Sequence, residues 1–170
     1  SHVGYLLIAI IVKSSLSSSS LMFYMLTYAF MIFGVFGIVI LIGKKGEENL
    51  EIENYSGLAY KHPIIALTMT IFLLSLGGLP PLAGFVAKFY IFSAALNEGY
   101  LILVIIAVLN SAISFYYYLK VIVFMYMKEP VKPLNVTLSP MTLLVIAISV
   151  FGTIQLGIYP DPIISLAQAQ

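Results

Sequence analysis

Between Pro63 and Leu96 the chain reads PIIALTMTIFLLSLGGLPPLAGFVAKFYIFSAAL, 34 residues with a single charge, Lys88. As one straight helix this stretch would be about 51 Å long, well beyond the roughly 30 Å of hydrocarbon in a bilayer. The segment must therefore break, and Gly77-Gly78-Leu79-Pro80-Pro81 marks where. Two prolines remove two backbone donors, and the second holds the first away from α conformation. Backbone groups freed at such a break need partners or water, so the break belongs inside protein or along a wet cavity and not against lipid.

The rest of the composition puts this segment in a membrane. Hydrophobic residues make up 61% of the chain and charged residues 9%, where a soluble domain carries about 45–50% and about 25%. At about 20 residues per crossing, the length holds roughly five or six helices. The sequence has no Arg, and its lysines are scattered, so no nucleic-acid-binding face is expected. Without Cys there is no disulfide or iron–sulfur ligand in the segment, and neither histidine sits in a metal-ligand cluster. No glycine-rich fingerprint for a dinucleotide occurs.

The expected fold class is all-α, a polytopic transmembrane helix bundle forming a single domain over residues 1–170, with one proline-broken helix. The first apolar run ends at Val12, too short to cross, and reads as the lower part of a helix continuing from upstream. A second helix is expected over 21–43, with Ser20 as its N-cap and Lys44-Lys45 closing it. Gly34 and Gly37 share a face and would let a neighbouring helix approach. Residues 44–62, with Glu47, Glu48, Glu51 and Glu53, read as a solvated polar loop, with or without a short surface helix. The broken helix over 63–96, a span over 100–127, a proline-containing loop over 128–139 and a last span over 141–159 complete the bundle. Lys13 stands alone on one side, against Lys44, Lys45, Lys61, Lys128 and Lys132 on the other. The lysine-rich side, with loops 44–62 and 128–139, is therefore expected to be cytoplasmic.

Lys88 lies seven residues past Pro81 and nine before Asn97, too deep to snorkel easily to water. A lysine near the bilayer centre costs about 2.5–3.5 kcal/mol on insertion scales, so it needs a reason. Two readings stay open: a proton site, since an amine held away from water can exchange its proton during turnover, or a structural lysine bonded to carbonyls freed by the break. Gly84 and Ala95 fall on its face and suit close packing around the charge. Lys120 is within snorkelling reach of the lysine-rich side, and Asn110, Ser114 and Tyr117 draw a polar stripe up to it. Such a stripe can order water or join helices. His2 is a candidate proton relay or a structural polar contact, whereas His62, before Pro63, reads as an interfacial residue.

These residues also carry a resemblance. The run Glu48 to Leu58, Met69 to Pro81, Gly84-Phe85-Val86-Ala87-Lys88-Phe89-Tyr90, Asn110-Ser111-Ala112-Ile113-Ser114 and Tyr116-Tyr117-Tyr118-Leu119-Lys120 resemble, in order and spacing, the subunit N family of the proton-pumping NADH-quinone oxidoreductases (respiratory complex I). Ser1-His2-Val3-Gly4-Tyr5 is similar to that family's serine–histidine–glycine motif. The resemblance covers most of Ser1 to Pro130 and fades in the last helix. It implies the C-terminal third of an antiporter-like subunit with inverted five-helix repeats, Lys88 as terminal proton site and His2 on the central polar axis. The sister subunit M carries a glutamate at that site, so lysine favours N.

The function so implied is proton translocation in the inner (plasma) membrane of a prokaryote, beside further antiporter-like subunits. NADH, FMN, iron–sulfur clusters and quinone belong to other subunits, with no cofactor, metal or redox site expected in this chain. The alternatives are a cation/proton antiporter or membrane hydrogenase component of the same fold, and a structural assembly subunit.

Overall fold

The computed structural model describes residues 1–43, 51–130, 136 and 139–161, and every regular element among them is helical. Helices α1 (His2–Val12), α2 (Ser15–Ile42), α3 (Leu58–Lys61), α4 (Pro63–Gly77), α5 (Ala83–Asn97), α6 (Leu101–Met127) and α7 (Pro140–Ile158) follow in order, with a 3-10 turn over Ile52–Tyr55 before α3. Three of them, α2, α6 and α7, are long and apolar enough to cross a membrane. Helices α4 and α5 have 15 residues each, about 22 Å apiece, and can cross only in tandem. Central to the bundle is α2, which packs along α1, α4, α5 and α7.

The expected break is present, with α4 ending at Gly77 and α5 beginning at Ala83. Gly78 closes α4 at φ 90°, its amide donating to the carbonyls of Leu74 and Ser75, while the Leu79 amide also returns to Leu74. That left-handed cap suits glycine because a Cβ is disfavoured there. Across the gap the Gly84 amide donates to Ser75 Oγ at 3.0 Å. A Cβ on Gly84 would overlap the Ser75 carbonyl oxygen, so close backbone approach, and not contact with Lys88, is what this glycine serves.

Helix α2 starts six residues before its predicted start, and Ser14, not Ser20, caps it. Ser14 and Ser17 form a reciprocal capping box, each hydroxyl accepting from the other's amide. The serines before Leu21 belong to the helix: Ser19 Oγ donates to the Ser15 carbonyl at 3.0 Å and Ser20 Oγ to that of Leu16 at 2.6 Å. Hydroxyls satisfied within the helix carry little penalty in an apolar setting.

Gly34 and Gly37 do not seat one neighbouring helix. A Cβ on Gly34 would overlap the Phe72 ring from α4, and one on Gly37 would meet Ile146 of α7 at 2.9 Å. Two knobs from two helices thus enter adjacent notches of α2, the close packing that holds helices together where lipid removes the hydrophobic drive.

The polar segment 44–62 is also corrected in part. Residues 44–50, with Glu47 and Glu48, lie outside the described residues, and Glu51 and Glu53 are exposed as expected. Tyr55, Ser56, Gly57 and Leu58 are buried, however. The Gly57 amide donates to the Phe124 carbonyl at 3.1 Å, and Tyr55 and Leu58 join a core cluster with Ile38, Leu41, Met69 and Met125. Charge density alone hid the apolar residues that pin this segment to the bundle. Most of loop 128–139 lies outside the described residues.

Candidate functional site

Lys88 is 5% exposed. Its Nζ donates to the Leu76 carbonyl at 2.9 Å, the Gly77 carbonyl at 3.0 Å and Ser111 Oγ of α6 at 2.9 Å. In an unbroken helix those two carbonyls would accept from the amides of residues 80 and 81. Both of these are prolines and have no N–H to give. Lys88 therefore supplies the two donors that Pro80 and Pro81 withhold, and the break and the buried charge are one construction.

The third bond carries the chemistry. An ammonium has three N–H donors, and all three are used on neutral oxygens. Loss of a proton leaves two donors, enough for both carbonyls, and a lone pair facing Ser111, whose hydroxyl can turn from acceptor to donor. Both protonation states are thus accommodated without moving a heavy atom.

His2, half-buried at the start of α1, is held between two phenols: Nδ1 lies 2.7 Å from Tyr24 Oη of α2 and Nε2 lies 2.9 Å from Tyr118 Oη of α6. A neutral imidazole there accepts one phenolic proton and donates to the other oxygen, and the tautomer sets which. Tyr5 stands between His2 and Lys88. Its ring meets the imidazole edge-on at 6.0 Å between centroids and lies 5.3 Å from Lys88 Nζ.

The polar stripe predicted on α6 divides: Ser114 turns to Ser1 and Asn110 lines a cavity beside it, while Tyr117 yields its place on the bundle to Tyr118. Tyr117 is 62% exposed, and Asn110 and Lys120 also face outward. Ser114 is half-buried and its Oγ lies 2.6 Å from Ser1 Oγ. The face turned to the bundle carries Val104, Ala107, Ser111, Tyr118 and Met125. Ser111 and Tyr118, with Tyr5 and Tyr24, are the site residues that sequence reading missed. No signal in the sequence singles them out, since Ala112 and Ser114 are as small as Ala107 and Ser111.

Beside Lys88 a cavity of about 490 Å³ opens between α5 and α6, lined by Lys88, Ser111 and the rings of Phe85, Phe89, Phe92 and Phe115. A second, of about 400 Å³, is lined by Ser1, Tyr5, Asn110 and apolar neighbours. Among the described residues no group of His, Cys, Asp or Glu could hold a metal ion.

With this geometry in place, the family described as "NADH:quinone oxidoreductase/Mrp antiporter, TM" matches residues 1–114. The chain belongs to this NADH:quinone oxidoreductase/Mrp antiporter family. Its membership makes it an integral membrane protein and accounts for the apolar helices. Within the family, the chain is 47% identical over 170 residues to NADH-quinone oxidoreductase subunit N of Trichlorobacter lovleyi, covering 98% of this chain and 34% of that protein. It is 38% identical to subunit N 2 of Rhizobium meliloti over 167 residues, 98% of this chain and 35% of that one. The chain thus spans about a third of the length of the curated relatives it matches. Among solved structures it superposes on a chain of respiratory complex I from Thermus thermophilus, solved with bound aureothin, with a TM-score of 0.84 at 28% identity, over 96% of this chain and 37% of that one. It also superposes on a chain of the Mrp complex of a Dietzia species with a TM-score of 0.80, at 22% identity over 99% of this chain and 40% of that one. At that identity the likeness speaks to the fold alone.

Proposed function

We propose that the chain is the C-terminal part of a proton-translocating membrane subunit of an NADH-quinone oxidoreductase. Lys88 takes up and releases a proton, driven by electron transfer from NADH to quinone in other subunits. The carrying observation is the Lys88 site itself: a buried amine on three neutral oxygens, one of which can reverse its hydrogen bond when the proton leaves. Such reversal is what a proton site needs and a fixed structural cation does not.

In this reading NADH, FMN, iron–sulfur clusters and quinone sit elsewhere in the complex, and further antiporter-like subunits adjoin this one in a prokaryotic inner membrane. The lysine-rich loops face the cytoplasm, as the positive-inside bias requires. His2, held by Tyr24 and Tyr118, passes protons toward Lys88 along the bundle. Relatives named as subunit N favour an oxidoreductase subunit over an antiporter of the same fold.

The test is Lys88→Ala in the full-length subunit within the assembled complex, measuring quinone reductase turnover and NADH-driven proton uptake into vesicles. Loss of proton uptake with the complex still assembled is expected. Normal uptake would remove Lys88 from the mechanism.

A further inference from the structure

Tyr5 is 2% exposed, and its hydroxyl is buried with no hydrogen bond, although it lies beside the hydroxyls of Ser111 and Ser114. Those serines are three residues apart on α6, on neighbouring turns of one face. Leaving a buried hydroxyl unpaired is destabilising, and a phenylalanine would fill the same space without that cost. The phenol also stands at a boundary: its ring lies 5.3 Å from Lys88 Nζ on one side, and on the other it lines the cavity that Ser1 and Asn110 share.

We propose that Tyr5 is a proton-passing residue, its hydroxyl alternating between Ser111 and Ser114 and so joining Lys88 to the cavity at Ser1 and Asn110. The inference rests on the reading of Lys88 as a proton site. In the forward step an Nζ–H bond of Lys88 breaks and its proton goes to Ser111 Oγ. Ser111 gives its own proton to Tyr5 Oη, Tyr5 gives its own to Ser114 Oγ, and Ser114, its hydroxyl turning away from the Asn110 carbonyl on which it rests, passes one to Ser1 Oγ, 2.6 Å away. Ser1 releases its original proton to water in the cavity. Every oxygen in the chain gains one proton and loses one. Lys88 is left neutral, with two N–H on the Leu76 and Gly77 carbonyls, and the charge is on water. Rotation of the hydroxyls resets the chain.

The experiment places Tyr5→Phe, Ser114→Ala, the double variant and Lys88→Arg in the full-length subunit of the assembled complex. Complex content in the membrane and NADH-driven proton uptake by vesicles are read for each. Tyr5→Phe is expected to assemble at the wild-type level, since it removes only an unpaired hydroxyl, and to lower proton uptake severalfold. Ser114→Ala should do the same, and the double variant should be no worse than either single, because both interrupt one chain. Wild-type uptake by Tyr5→Phe while Lys88→Arg fails to pump overturns the role of Tyr5 and leaves that of Lys88. Wild-type uptake by Lys88→Arg brings down the underlying reading instead. Loss of uptake in proportion to lost complex would make Tyr5 a packing residue and overturn the proposal as well.

Discussion

The Gly84 amide donates to Ser75 Oγ at 3.0 Å, and through this bond the start of α5 is tied to the end of α4 across the break. The approach leaves no room for a side chain, because a Cβ on Gly84 would overlap the Ser75 carbonyl oxygen, a backbone atom that cannot step aside. Gly84→Ala is therefore expected to destabilise the subunit by about 1–3 kcal/mol or more. Ser75→Ala, which strands a buried amide, should cost about 1–3 kcal/mol. Thermal unfolding of the purified complex, with its content in membranes, measures both. Wild-type stability of Gly84→Ala would mean that the two half-helices are not held this closely.

Lys88→Arg separates the structural role of the lysine from its proton role. A guanidinium keeps donors for the Leu76 and Gly77 carbonyls but does not give up its proton. Assembly is expected to survive in this variant while proton uptake is lost. Lys88→Met removes the donors too, and each carbonyl left unpaired costs about 1–3 kcal/mol, so its complex should also be less stable. Pumping by Lys88→Arg would assign the lysine to structure alone.

Tyr117 and Tyr118 are neighbours with opposite surroundings. Tyr118 Oη lies 2.9 Å from His2 Nε2, whereas Tyr117 is 62% exposed. Tyr118→Phe should slow NADH-driven proton uptake, and Tyr117→Phe should leave it unchanged. The reverse pattern in a vesicle assay would place α6 in the other register.

Gly34 is the notch into which the Phe72 ring fits. Gly34→Ala should lower stability by about 1–3 kcal/mol through overpacking. Phe72→Leu in the same chain should recover part of that loss, since the two changes act on one contact and are not additive. Simple addition of the two losses in unfolding measurements would show that ring and notch are independent.

Much of the site was legible because proline and lysine are costly in apolar helices for separate reasons. Pro80 and Pro81 must break the helix over 63–96, and Lys88 must find partners. The sequence left open that the two needs answer each other, with the lysine bonded to carbonyls freed by the break, and the structure shows that it takes those of Leu76 and Gly77. That requires the chain to fold back so that Nζ reaches 2.9 and 3.0 Å from carbonyls twelve and eleven residues earlier. The start of α2 was misread because serine favours caps and turns in water, whereas here Ser19 and Ser20 satisfy their hydroxyls on the preceding turn.

The sequence by itself determined that the chain is a bundle of apolar helices, where one of them breaks, and which charge lies buried near the break. These follow from helix length, backbone donors and the cost of removing charge from water, all of which act along the chain. Only the tertiary structure decided that Ser111 and not Asn110 meets Lys88, that Tyr118 and not Tyr117 meets His2, and that Tyr5 stands between the two sites. On α6, apolar on nearly every side, hydrophobicity does not choose a face. The choice falls to close packing and to hydrogen bonds between residues as far apart as His2 and Tyr118, and these exist only once the helices are together.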